Sequence, residues 1–136
     1  MTPSRVFLDT FFVIALLNKR DAYHDSAKSW LPVLQSVKEI WTTEVVLIEI
    51  CDGLSSLNRI AAASFIHQLK RTSNINIAPA STSLINHGLT MYEERGDKVW
   101  GLTDCISFVV MNDNHLTEAL TADEHFSQAG FKALLL

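Results

Sequence analysis

Hydrophobic residues along this chain come in short runs that switch between two periods. Val6, Phe7 and Leu8 stand in unbroken succession and stop at Asp9, the pattern of a strand buried on both faces and closed by a polar residue. Phe11 to Asn18 continues at helical length. Ala27, Trp30, Leu31, Leu34 and Val37 fall on one helical face, which predicts a second helix with Pro32 kinking it or delaying its start. "EIW" then reads as a strand, Thr42 or Thr43 as an N-cap, and Val46, Leu47, Ile50 and Leu54 as the apolar side of the next helix. "NRIAAASFIHQLKR" predicts a further helix, and "NINIAPA" an alternating strand stopped by Pro79. A helix from Ser81 to Gly96 follows, then one in "GLTDCISFVVMNDN" with Thr103 as N-cap and Asp104 in its first turn. The segment from Thr117 onward predicts a strand, a helix beginning near Asp123, Gly130 and a last strand.

Strands alternating with helices predict an α/β domain with a mostly parallel central sheet flanked by helices, taken as one domain over residues 1–136. Ligands of such sheets gather beyond the carboxyl ends of the strands, where the strand order reverses. Asp9 and Asp123 are expected there.

Composition narrows the function classes. With 48% hydrophobic and 19% charged residues the chain can build a real core. Its apolar runs fall short of the roughly 20 residues that span a bilayer, and its start lacks the signal-peptide pattern, so a cytoplasmic protein without membrane contact is expected. Cys51 and Cys105 sit in apolar helical patterns and read as buried, reduced thiols. The five histidines are scattered and lack zinc-ligand spacing. A formal net charge of −4 argues against binding nucleic acid through bulk positive potential, so such a partner needs a local device.

Most acids lie in polar surroundings and read as solvated. Asp104 taken singly is a first-turn helix acid, and Asp123 taken singly is an N-cap. Glu49 stands between Ile48 and Ile50 with no Lys or Arg within a turn, and is expected partly against the core, where a lone carboxylate is costly. Together, Asp9, Glu49, Asp104 and Asp123 occupy element ends or a helix face able to converge on one crevice. Clustered carboxylates resist ionisation unless something positive lies between them. Oxygen ligands favour magnesium or manganese over zinc.

The motifs "FLDT", "TTEVVLIEI", "GLTDCISFVVM" and "ALTADEHFSQAGF" resemble, in that order, the acidic motifs of PIN domains, particularly those of VapC-like bacterial toxins. The resemblance covers nearly the whole chain from Arg5. It implies the PIN fold, an acidic quartet of Asp9, Glu49, Asp104 and Asp123 serving both catalysis and metal binding, and assisting hydroxyls at Thr10 and Thr121. It implies a Mg2+- or Mn2+-dependent endoribonuclease acting on RNA, an antitoxin protein as partner, and a homodimer. Lys19, Arg20, Arg95 and Lys98 are candidates for phosphate contacts, and Trp41 and Trp100 for base stacking, although surface charge and core packing are the plainer roles. The alternative is a non-catalytic PIN-like module that binds RNA or protein. A phospho-acceptor domain built on Asp9 is disfavoured, because Phe11 stands where the second acid of dehalogenase-like phosphatases is required.

Overall fold

The computed structural model describes residues 2–136. Strand β1 (Arg5–Leu8) leads into α1 (Thr10–Leu17) and α2 (His24–Leu34), which return the chain to β2 (Glu39–Thr43). Helices α3 (Glu44–Leu54) and α4 (Arg59–Arg71) connect to β3 (Ile75–Ala78). Helices α5 (Thr82–Glu94) and α6 (Leu102–Asp113) carry the chain to β4 (Glu118–Leu120), and α7 (Glu124–Gln128) precedes the short β5 (Lys132–Ala133). All pairings are parallel, and the strand order is β3-β2-β1-β4-β5. The expected α/β architecture is therefore the observed one.

Its central strand explains the unbroken apolar run. β1 lies between β2 and β4, helices cover both faces of the sheet, and Val6, Phe7 and Leu8 are at most 2% exposed. The edge strand β3 is only half-buried, as suits a strand with one neighbour. The chain leaves β1 toward β2 on one side and later enters β4 on the other, so the strand order reverses between β1 and β4. Crevices form at such points, outside the carboxyl ends.

Several local expectations sharpen. Thr43, not Thr42, caps α3, accepting from the Val46 N–H at 3.0 Å, while Thr42 stays in the strand and donates to the Leu8 carbonyl. Thr103 is not the cap of α6. That position belongs to Gly101, one residue before the helix begins. Pro32 neither delays α2 nor interrupts its body. It occupies the last turn, two residues before the end, so the bond its missing N–H forfeits and any bend it causes fall at the helix terminus. Gly130 ends α7 at φ +94°, a conformation that costs glycine little and other residues more. Both cysteines are free thiols, Cys105 fully buried and Cys51 partly so.

An aromatic cluster braces the elements that carry the acids. Phe108 of α6 meets Phe126 of α7 edge-on at 5.0 Å and Trp100 at 5.0 Å, and Phe126 reaches Phe7 of β1 at 6.2 Å. Each such contact adds about 0.5–1.5 kcal/mol beyond area burial, and together they lock α6 and α7 onto the central strand. Among the described residues, no helix is long and apolar enough to cross a membrane.

Candidate active site

Asp9 follows the last residue of β1 and is 6% exposed. Leu8 pairs with Leu120 across β1 and β4, which sets Asp9 beside Thr121, and the Thr121 hydroxyl donates to Asp9 Oδ2 at 2.8 Å. The same hydroxyl accepts from the Asp123 N–H at 3.0 Å. One threonine thus ties together the ends of the two strands at the reversal.

Asp123 is the N-cap of α7, its Oδ1 accepting from the His125 N–H at 2.9 Å. Capping and cleft membership coexist, because only one oxygen is used. Asp104 is the third residue of α6, and its Oδ2 accepts from the Gly101 N–H at 3.1 Å. The first turn of α6 is aimed at the other acids, and its half-charge favours a carboxylate there.

Glu49 departs from expectation. The core-facing residues of α3 are Val46, Leu47, Ile50 and Leu54; at 100° per residue, Glu49 points well away from their mean direction. It is exposed rather than held against the core. Its partner is the Thr10 hydroxyl, which donates to Glu49 Oε1. Both hydroxyls singled out beforehand, Thr10 and Thr121, hold carboxylates.

The four acids line one cleft of about 370 Å3, with Thr10, Phe11, Ile14, Asp21 and His125. A larger cavity of about 690 Å3 lies elsewhere, lined by residues such as Leu16, Leu34, Phe65 and Leu69, and holds no titratable side chain. Size alone would choose the wrong one. The acidic cleft carries its own electrostatic signature: Asp9 is pushed from its ordinary 3.8 up to about 7, chiefly by burial. The Thr121 hydrogen bond opposes that rise, and the neighbouring charges of Asp104, Glu49 and Asp123 add to it. Among the described residues, no lysine or arginine forms an ion pair with any of these four.

His125 was not anticipated. Its Nδ1 lies 2.9 Å from Asp104 Oδ2 and 3.5 Å from Asp123 Oδ1, and these three residues offer ligand atoms within 4.8 Å of one another. The only hint in the sequence is local, a histidine two positions after a capping aspartate, which places its ring over the helix start. Trp100 takes the plainer of the roles expected of it. It is 5% exposed, packed on Phe108, with its indole N–H on Gln128 Oε1, so it is core rather than a base platform. Arg95 stacks on Trp100 and pairs with Asp97, which removes it from the free cations. Trp41 is half-buried, its N–H on Glu39.

A family model for the PIN domain matches residues 6–132. The chain belongs to the PIN domain family. Among solved structures, this PIN domain superposes on VapC20 of Mycobacterium tuberculosis, described as a toxin that cleaves the sarcin-ricin loop. The TM-score is 0.82 at 25% identity, covering 93% of this chain and 95% of that one. VapBC2 from Rickettsia felis, solved with a DNA fragment from its promoter, shares the fold with a TM-score of 0.67 at 19% identity, covering 95% and 96%. No curated protein sequence matches the chain.

Proposed function

We propose that this PIN domain is a toxin-type endoribonuclease that hydrolyses RNA phosphodiester bonds with a bound Mg2+ or Mn2+ ion. The observation that carries the reading is the convergence of Asp9, Glu49, Asp104 and Asp123 in one cleft with no lysine or arginine partner among the described residues. The likeness to VapC20 supports the toxin class. The donor set suits a hard divalent ion, and a buried carboxylate raised to about 7 is the expected mark of a site short of positive charge.

Asp9, Asp104 and Asp123 are the residues that would hold the ion. Bound there, it would supply charge stabilisation for the scissile phosphate and a more acidic attacking water. The chain's own groups set the geometry. Thr121 fixes Asp9 by one oxygen and leaves the other without a hydrogen bond among the described residues; Gly101 and His125 hold Asp104. Glu49, exposed and restrained by Thr10 alone, has the freedom to orient a water or take its proton. Lys19 and Arg20 are exposed and directly precede Asp21, which lines the cleft, so they are suited to steer the RNA backbone toward it.

A toxin of this kind requires an antitoxin that blocks the cleft. Homodimerisation belongs to the same proposal, supported by the exposed apolar stripe of Ile85, Leu89 and Tyr92 on α5. The deciding assay incubates purified protein with mixed RNA, with and without Mn2+, beside Asp9→Asn and Asp104→Asn variants. Manganese-dependent cleavage by wild type alone is expected. Equal cleavage by all three would identify a contaminant and overturn the reading.

A further inference from the structure

We infer that His125 is a ligand of the metal in this cleft, making the site a mixed nitrogen and oxygen centre that prefers manganese or cobalt to magnesium. The inference rests on the metal-dependent reading above and goes beyond it, because a nitrogen ligand widens that preference past what an all-carboxylate site gives.

The spacing is the first argument. Ligands in adjacent positions around an ion with bonds of about 2.1 Å lie about 3.0 Å apart in an octahedron and about 3.4 Å apart in a tetrahedron. His125 Nδ1 stands 2.9 Å from Asp104 Oδ2 and 3.5 Å from Asp123 Oδ1. Both separations from the ring nitrogen are those of neighbouring ligands, and the three residues' ligand atoms lie within 4.8 Å of one another, close enough for one ion to reach all three. Coordination through the Nδ1 lone pair leaves the ring proton on Nε2, which makes no hydrogen bond among the described residues.

The second argument comes from Asp9. It is 6% exposed and lines the same cleft, yet among the described residues only its Oδ2 receives a donor, from Thr121. A largely buried carboxylate beside three further acids, with no lysine or arginine ion-paired to any of the four among the described residues, is costly. An ion held by Asp104, Asp123 and His125 would supply the missing charge.

The third argument is positional. The ring is placed by backbone that the fold makes rigid. Asp123 caps α7 through the His125 N–H, and Phe126, the next residue, is fully buried against Phe7 and Phe108. His125 is therefore pre-set over the acids, with its side chain 26% exposed at the cleft. Imidazole nitrogen strengthens binding along the series from manganese to cobalt and zinc, whereas magnesium prefers oxygen.

Calorimetric titration of Mg2+, Mn2+ and Co2+ into wild type, His125→Asn and His125→Asp tests this, together with the visible spectrum of the Co2+ protein. Asparagine keeps a donor near the Nδ1 position, so a histidine that merely orients Asp104 predicts unchanged ion preference. A ligand role predicts that His125→Asn loses at least about tenfold in Co2+ and Mn2+ affinity, changes little toward Mg2+, and shifts the Co2+ bands. His125→Asp should bind Mg2+ more tightly than wild type does. Unchanged preference and spectrum in folded His125→Asn, or equal loss of all three ions, would overturn the inference while leaving the nuclease reading intact. A wild type that binds none of these ions, yet cleaves RNA in chelator, would overturn the metal reading itself.

Discussion

Replacing Asp9 by asparagine should stabilise the metal-free protein, and increasingly so as the pH rises. The folded state holds the Asp9 proton up to about pH 7, whereas an unfolded chain releases it near the ordinary 3.8. Folding thus favours the protonated acid. Its stabilising balance is complete below the unfolded value, falls as pH rises through that window, and is gone above the folded value. A gap of this size corresponds to a penalty of about 2 kcal/mol at pH 5 and about 4 kcal/mol at pH 8. Asparagine carries no charge to bury and can still accept from Thr121, so the variant escapes the penalty. Urea denaturation in EDTA should show the variant's advantage growing by about 2–3 kcal/mol between pH 5 and pH 8, a midpoint difference of roughly 1 M. Excess Mn2+ should remove most of that advantage at pH 8, because an ion at 100 times its Kd adds about 2.7 kcal/mol to the protein that binds it. An advantage that does not change with pH, or a wild type more stable than the variant at pH 8 in EDTA, would refute the assignment of Asp9 as a carboxylate held against its charge.

The other predictions use different parts of the fold. Asp123→Asn should keep its thermal midpoint, since asparagine caps as well as aspartate, but lose manganese-dependent cleavage; retained cleavage would leave Asp123 a cap alone. Trp100→Ala should cost about 3–5 kcal/mol by urea titration with RNA affinity unchanged for the folded fraction, and a selective loss of affinity would restore a base contact. Gly88→Ala should destabilise by about 1–3 kcal/mol, because a Cβ there would stand 2.5 Å from Ile106 Cγ1 and 3.3 Å from that residue's backbone; a neutral effect would show that α5 and α6 can separate freely. Exchanging Lys19 and Arg20 for glutamine should weaken RNA binding and lower its salt dependence, as measured by filter binding at several ionic strengths.

What the sequence determined was local. Val6 to Leu8 could only be a strand covered on both faces. The caps before α3 and α7 and the glycine after α7 mark their own ends, because capping and backbone freedom act within a few residues. The order of the acids carried the family for the same reason, each motif being short and self-contained. The tertiary structure decided everything that depends on which sides of distant elements meet. Thr121 reaches Asp9 across 112 positions only because β1 and β4 are neighbours. Glu49 turned outward because the angular centre of α3's apolar face lies elsewhere, and Trp100 went inward because Phe108 was there to receive it. His125 joined the acids through the angle between α6 and α7, which the aromatic cluster sets and no single segment encodes. Helical period and capping are short-range forces that can be read along a chain; the direction of a charge in a cleft is fixed by packing, and packing is collective.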